Sequence, residues 1–278
     1  GGVWRVNYSL LSNQNYSSNE SYLNLTVNKA GDTFTVQLNG NSANLSVSYP
    51  QQVNVSVTGN DSAITINVNG TTFTNSNNYT LGGGVWFVNV TTAGDQNYSS
   101  NESDWYITIN PSGNNLTYLL NGAQNNLTIT YPQQANATVL NNLSTALINI
   151  NGTTLTSGAN YTIGGGIWTI NYSLVSNQNY TSNETKLYLT VNKAGQSQIT
   201  PLLNGNNGNL AVVYPQQINA SYSGTNYSNL SIEINGTFVN IGQNYTWGGG
   251  VWRVNYSLLS DQNYSSNESY LNLTVNKA

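Results

Sequence analysis

The chain has 278 residues with no Cys, His or Met, so it lacks the commonest general base, a thiol nucleophile and any sulfur to oxidise. Only 6% of it is charged, and a net charge of −4 with 6 basic residues excludes the clustered Lys and Arg of a nucleic-acid footprint. No apolar run approaches the roughly 18 residues of a membrane span, yet 38% of the residues are hydrophobic, enough to build a core.

Residues 1–30 open with Val3-Trp4-Arg5-Val6-Asn7-Tyr8-Ser9, an alternation that turns Trp4, Val6 and Tyr8 to one face of a strand and Arg5, Asn7 and Ser9 to the other. A QNYSSNES loop from Gln14 follows, then a second alternating run ending in Asn28-Lys29-Ala30. Three longer units come next, each with the same landmarks in the same order. YPQQ stands at Tyr49, Tyr131 and Tyr214. Asn69-Gly70, Asn151-Gly152 and Asn235-Gly236 lie between strand-like runs, and both residues accept the positive φ that a tight hairpin needs. Gly82-Gly83-Gly84, Gly164-Gly165-Gly166 and Gly248-Gly249-Gly250 precede Trp86, Trp168 and Trp252, and the QNY loop returns at Gln96, Gln178 and Gln262. Helical periodicity and capping signals are absent. The period is about 82 to 84 residues, the size of a small domain. With about seven short strands per unit, the expected class is all-β, a Greek-key β-sandwich repeated in tandem.

The expected domains are 31–112, 113–194 and 195–278, preceded by a partial one, 1–30, that holds only the last strands of a sandwich. Junctions of a residue or two favour a semi-rigid rod. Residues 1–30 match 249–278 at every position but one, where Asn13 faces Asp261. The three-domain block therefore repeats with a period of about 248 residues, and the lone fragment should expose unpaired strand edges. Two readings follow: an excerpt of a longer periodic fibre whose missing strands lie upstream, or subunits that exchange strands. The absence of an initiator Met and of a visible signal peptide reads as a mature fragment or an excerpt.

Asn-x-Ser/Thr triplets, with x not Pro, are the densest signal. They begin at Asn7, Asn15, Asn19 and Asn24 in the partial unit, and at Asn44, Asn54, Asn60, Asn69, Asn78, Asn89, Asn97 and Asn101 in the first long unit. The second carries Asn115, Asn126, Asn136, Asn142, Asn151, Asn160, Asn171, Asn179 and Asn183. The third carries Asn219, Asn226, Asn229, Asn235, Asn244, Asn255, Asn263, Asn267 and Asn272. Random order of this composition yields about 11 such triplets and about 30 occur, whereas the reversed Ser/Thr-x-Asn motif occurs about 14 times. Strand alternation has no direction, so the excess points to N-glycosylation. In a strand the Asn and its hydroxyl partner share the solvent face and x points inward, as at Asn7-Tyr8-Ser9, Asn24-Leu25-Thr26 and Asn89-Val90-Thr91. Asn110-Pro111-Ser112 fails the rule. Glycans would supply the hydration and edge protection that charges give elsewhere, and so little to titrate predicts a stability that varies little with pH.

Catalysis is not expected. Only Glu20, Glu102, Glu184 and Glu268 recur, once per unit, which offers no paired acid and base. Asp95, Asn97 and Glu102, with Asp261, Asn263 and Glu268, could offer oxygens to a cation, but Asn13 and Asn177 replace the Asp in the other copies, which favours a hairpin loop pinned by its Tyr. No metal site is therefore assigned. The glycine runs precede strands and not helices, so they read as turns, not phosphate cradles. Tyr and Trp stripes lie on the inward phase and read as core in preference to a sugar-stacking surface. No cofactor is expected beyond covalent N-linked glycans.

Taken in order, Ile66-Asn67-Val68-Asn69-Gly70-Thr71, the Gly-rich turn, Ala93-Gly94-Asp95-Gln96-Asn97-Tyr98 and the closing Thr190-Val191-Asn192-Lys193-Ala194 resemble the bacterial Ig-like repeats of group-3 type. The loop at Asp95 is similar to that family's G-D-x-N-Y loop, and the chain departs from it at Asn13-Gln14 and Asn177-Gln178, where the G-D pair is missing. The resemblance implies immunoglobulin-like modules of adhesins, stalks or surface-layer proteins. A heavy sequon load without Cys is similar to archaeal surface proteins and filaments. The expected role is a structural subunit or excerpt of a densely N-glycosylated extracellular filament or stalk at a cell surface, partnered by copies of itself or by further repeats. The alternative is a spacer in a cell-surface adhesin whose binding domain lies outside this window.

Overall fold

A computed structural model describes residues 1–59, 63–140, 143–195, 199–223 and 229–278. Its regular structure is entirely β. A short pair comes first, β1 (Gly2–Leu10) and β2 (Asn19–Val27). The first sandwich contains β3 (Phe34–Leu38), β4 (Leu45–Ser48), β5 (Val53–Gly59), β6 (Ile64–Val68), β7 (Thr71–Phe73), β8 (Asn78–Tyr79), β9 (Gly84–Thr92) and β10 (Asn101–Asn110). The second contains β11 (Tyr118–Leu120), β12 (Leu127–Thr130), β13 (Gln134–Val139), β14 (Ala146–Ile150), β15 (Thr153–Leu155), β16 (Asn160–Thr162), β17 (Gly166–Leu174) and β18 (Asn183–Asn192). The third contains β19 (Thr200–Leu203), β20 (Leu210–Val213), β21 (Ile218–Ser223), β22 (Leu230–Ile234), β23 (Thr237–Val239), β24 (Asn244–Tyr245), β25 (Gly250–Leu258) and β26 (Asn267–Asn276).

Each sandwich pairs a three-stranded sheet with a five-stranded one. In the first the orders are β3-β5-β8 and β4-β10-β9-β6-β7, and the other two repeat them strand for strand. That gives eight strands per sandwich among the described residues, where the sequence pattern predicts about seven. The extra one arises because the opening strand is split. After β3 the chain turns at Asn39-Gly40, with φ of 48° and 80°, and crosses to the other sheet, where β4 runs parallel to β10. Asn39 Oδ1 accepts the Asn54 N–H at 2.6 Å and holds the turn against β5. Asn121 and Asn204 do the same to Asn136 and Asn219. The left-handed φ costs Asn less than most residues, which is why it recurs here. These are tandem immunoglobulin-like β-sandwiches.

The cores lie between the sheets because alternate residues face inward. Along β5, Val53, Val55 and Val57 are buried while Asn54 and Ser56 are half-buried. They join Leu38, Ile66, Val68, Val88, Val90, Ile107 and Ile109 in one apolar cluster. Equivalent clusters fill the second and third sandwiches. Each fully buried aliphatic side chain contributes about 1.5–3 kcal/mol, before the entropy of ordering is set against it. Tyr172 and Tyr256 replace the Val90 position in the later copies and reach across the core, their O–H groups donating to the carbonyls of Leu119 (3.0 Å) and Leu202 (2.8 Å).

Cα proximity groups the chain into two compact units. The first includes Gly1–Asn115 and Leu174–Asn183, and the second includes Ala146–Ser173 and Glu184–Ala278. Within the first unit, β1 and β2 form a two-stranded antiparallel sheet. Its register, Gly2↔Val27 through Leu10↔Asn19, is that of β25 and β26, Gly250↔Val275 through Leu258↔Asn267. The surroundings differ. The β25–β26 pair is flanked by β22 and β20 within its sheet, and shares its core with residues of β19 and β21. No further strand pairs with β1 or β2 among the described residues, and both are exposed throughout. Among the described residues no helix is long and apolar enough to cross a membrane.

Candidate functional site: acceptor asparagines and junction loops

None of the described sequon asparagines is buried. Asn60, Asn142 and Asn226 lie outside the described residues. In the central strands the triplet straddles the sheet as its period requires. Asn89, Asn171 and Asn255 are half-buried on the outer side, and the residue after each, Val90, Tyr172 or Tyr256, is fully buried. Asn54-Val55-Ser56, Asn136-Ala137-Thr138 and Asn219-Ala220-Ser221 repeat the pattern on the smaller sheet. At Asn7, Asn24 and Asn19 the whole triplet is exposed because β1 and β2 carry no covering sheet.

The side-chain amides divide by what they already hold. Asn69, Asn151 and Asn235 occupy left-handed turn positions with φ of 44–45°, and their Oδ1 atoms accept the backbone N–H of Phe87 (2.8 Å), Thr169 (3.2 Å) and Arg253 (3.0 Å). Asn44 and Asn126 likewise use Oδ1, accepting from the N–H of Tyr106 and Tyr188, both at 2.9 Å. These arrangements leave Nδ2, the atom a glycan would take, outside the bond. At three positions Nδ2 donates twice instead. Asn89 bonds Glu102 and Asp104, Asn136 bonds the Gly158 carbonyl and Asn160, and Asn219 bonds the Gly242 carbonyl and Asn244. A glycosidic link removes one of the two hydrogens, so modification there breaks a bond.

The recurring QNY loop is held by an Asx turn. Asp95 Oδ1 accepts the N–H groups of Asn97 (2.6 Å) and Tyr98 (2.7 Å), and these two donors, Tyr98 first, keep its carboxyl below the ordinary carboxylate range. Asn13 makes the same pair to Asn15 (2.8 Å) and Tyr16 (2.9 Å), and Asn177 to Asn179 and Tyr180 (both 2.9 Å). Asp261 serves the fourth copy. An amide oxygen and a carboxylate oxygen are interchangeable in this turn, which explains the Asp/Asn alternation without a bound cation. Among the described residues no three Asp or Glu side chains converge on one point.

The same loop forms a junction that sequence reasoning does not find. Within the first unit, the loop of Gln178 and Asn179 packs on the glycine turn of the first sandwich. Gly83 N–H donates to Asn179 Oδ1 at 3.0 Å, and Gln178 Nε2 donates to the Gly83 carbonyl at 3.0 Å. A Cβ on Gly83 would lie 1.9 Å from the Gln178 carbonyl oxygen, so only glycine fits. Ser112 N–H donates to the Asn179 carbonyl and Thr181 N–H to the Ser112 carbonyl, both at 2.9 Å. The Tyr49 and Tyr180 rings meet edge to face, 5.5 Å apart at 79°. Within the second unit Gly165, Gln262, Asn263, Ala194, Tyr131 and Tyr264 repeat the arrangement, with the rings again 5.5 Å apart at 79°. Ala30 bridges Tyr98 in the same way. The Tyr-Pro bonds after Tyr49, Tyr131 and Tyr214 are all cis.

The glycine runs are thus turns, as their setting before strands predicts, and also packing surfaces. Trp86 and Trp168 are half-buried against the cores and donate Nε1–H to the carbonyls of Gly82 (2.9 Å) and Gly164 (2.8 Å). The available signal was that YPQQ, the glycine run and QNY recur together in every long unit.

No protein-family model matches the chain, and no curated protein matches it. Among solved structures it is similar to the fibronectin(III)-like modules of Clostridium thermocellum CbhA, at 12% identity over 58% of this chain and 95% of that one, with a TM-score of 0.23. Drosophila N-cadherin EC1-4 aligns at 9% identity over 99% of this chain and 83% of its own, with a TM-score of 0.27. The N-terminal four Ig domains of Dscam1 isoform 6.9 align at 10% identity over 95% and 78%, with a TM-score of 0.25. All three are tandem β-domain proteins. At these scores the fold assignment rests on the sheet order given above.

Proposed function

We propose that the chain is a stretch of an N-glycosylated extracellular filament or stalk at a cell surface, built from tandem immunoglobulin-like sandwiches spanning 31–112, 113–194 and 195–278 behind the strand pair of 1–30. One observation carries the reading: a directional excess of acceptor triplets coincides with side chains that solvent reaches, while the middle residues of the triplets at Asn54, Asn89 and their equivalents in the other two sandwiches build the core. Selection for strands alone would not orient the motif. Sugars on these amides would hydrate a surface nearly devoid of charge and guard its strand edges. The shared sequence and register of β1–β2 and β25–β26 support a fibre in which the three-sandwich block recurs.

Intact-mass measurement of native material before and after glycan release tests the coat. A large loss of mass is expected, and an unchanged mass overturns glycosylation. Negative-stain microscopy tests the assembly. Long uniform fibres are expected, whereas short stalks ending in a distinct head would replace the filament with an adhesin spacer.

A further inference from the structure

The small sheet of each sandwich sets two acceptor asparagines directly opposite one another. Asn54 on β5 faces Asn78 on β8, and in the later copies Asn136 faces Asn160 and Asn219 faces Asn244. In every pair the amides meet in the same direction: Nδ2 of the first donates to Oδ1 of the second, at 3.3, 3.2 and 3.4 Å. Nδ2 of Asn136 also donates to the Gly158 carbonyl at 2.5 Å, and Nδ2 of Asn219 to the Gly242 carbonyl. Among the described residues, Nδ2 of Asn78, Asn160 and Asn244 donates to no protein group.

The backbone divides the pairs in the same way. β5, β13 and β21 are the middle strands of their sheets, whereas β8, β16 and β24 are edges of two or three residues. On the side away from its partner Asn54 is tied to the opening turn. Asn39 N–H donates to the Asn54 carbonyl at 2.9 Å while Asn39 Oδ1 accepts the Asn54 N–H. Asn121 and Asn204 hold Asn136 and Asn219 likewise, each donating to the carbonyl at 2.8 Å. The middle-strand member of each pair is half-buried, and the edge member is exposed.

N-glycosylation joins Nδ2 to the anomeric carbon of a glycosyl phosphate donor. The phosphate leaves with the electrons of the broken C–O bond, and Nδ2 gives up one of its two protons. The product amide keeps one N–H and its carbonyl oxygen. Asn78, Asn160 and Asn244 can therefore react and still accept the bond from across the sheet. Asn136 and Asn219 must surrender a bond, and must also be lifted from a strand held on both sides. We propose that each pair takes one glycan, on the edge-strand asparagine, and that the middle-strand asparagine stays bare and anchors the modified amide. This choice of sites rests on the glycosylation reading, and it makes the folded sheet, not the triplet alone, the substrate of the transferase.

Site-resolved glycopeptide mapping of the native chain tests it. One hydrogen bond is worth about fivefold and the backbone bonds add to it, so occupancy at Asn160 and Asn244 should exceed that at Asn136 and Asn219 by at least about tenfold. The bias should be smallest in the first pair, where Asn54 Nδ2 donates to Asn78 alone among the described residues. Equal occupancy within the second and third pairs, or sugar favouring the middle strand, overturns the inference and leaves glycosylation standing. A chain bare at every site overturns both. Sugars on opposed residues about 5 Å apart would also crowd each other, and a variant separates that cause from the bonds. Thr162→Ala destroys the triplet at Asn160 but leaves its amide in place. Thr162 is exposed and its hydroxyl accepts only from Gln134 Nε2, at 3.5 Å, so the sheet persists. Asn136 should stay bare in this variant made in the chain's own cells. A glycan appearing on Asn136 overturns the inference, because the neighbouring sugar and not the fold would then have kept it bare.

Discussion

Leu25 and Leu273 sit in the same local sequence, Asn-Leu-Thr-Val-Asn-Lys-Ala, in strands of the same register. Replacing each by Ala removes the same atoms from the same strand, so intrinsic propensity cancels and only the surroundings differ. Leu273 is fully buried, opposite Leu210 on one side and Trp252 on the other, inside the third core. Leu25 is 54% exposed and paired with Trp4 alone. A buried Leu→Ala costs about 2–5 kcal/mol, and an exposed one within about 0.5 kcal/mol. A chain of several sandwiches does not unfold in one step, so a single melting temperature cannot report the difference. Native-state hydrogen exchange resolves it: a loss of about 3 kcal/mol speeds the slowest amides of β25 and β26 by roughly 150-fold. The Leu25 variant should leave every sandwich unchanged. Equal costs at the two positions would show that the β1–β2 face is covered in solution, and would refute the account of its exposure.

Tyr172→Phe removes the bond to the Leu119 carbonyl and should cost about 1 kcal/mol. Burial raises the Tyr172 phenol to about 12, above its unfolded value near 10, so its contribution is complete below pH 10 and is lost as pH climbs towards 12. The unfolding step of the second sandwich should therefore lose stability less steeply between pH 8 and 12 in the variant, and an unchanged slope would remove the cause. Asp95→Asn should be silent at neutral pH, because Asn makes the same turn at 13 and 177. The depressed Asp95 carboxyl contributes in full above the ordinary carboxylate pKa and loses that contribution as pH falls from there through its own lowered pKa, so acid loosening of this loop, read by amide exchange, should vanish in the variant. A large loss at neutral pH would instead point to a role for the charge. Glycopeptide mapping should find lower occupancy at Asn89, Asn136 and Asn219, whose Nδ2 atoms donate twice, than at Asn44 and Asn126; the reverse order would show that these bonds do not govern modification.

Much of this architecture was legible because strands and hairpins are written in short-range patterns. Alternation located the long strands, and Asn69-Gly70 and its equivalents marked hairpins that adopt the positive φ expected of them. The exposed edges of 1–30 followed from seeing the last strands of a sandwich without the others. The split opening strand was missed although Asn39-Gly40 is the same dipeptide, because no local pattern says which sheet a strand will join. The junctions were missed for a related reason. Gly83 and Gln178 stand 95 residues apart, and each has an adequate local role, one as a turn and the other in a hairpin loop. Only their contact shows why the glycine admits no side chain and why the tyrosines recur together.

The parallel pairing of β4 with β10 has a mechanical consequence. Tension applied to the two ends of a sandwich pulls these strands along their length in opposite directions. The ladder from Leu45↔Ile107 to Ser48↔Asn110 is then loaded in shear, all of its bonds together, and not unzipped one at a time. β12 with β18 and β20 with β26 present the same clamp in the other two sandwiches. Each sandwich should therefore resist a steady pull far better than its sparsely charged surface implies, and should yield abruptly once the clamp slips.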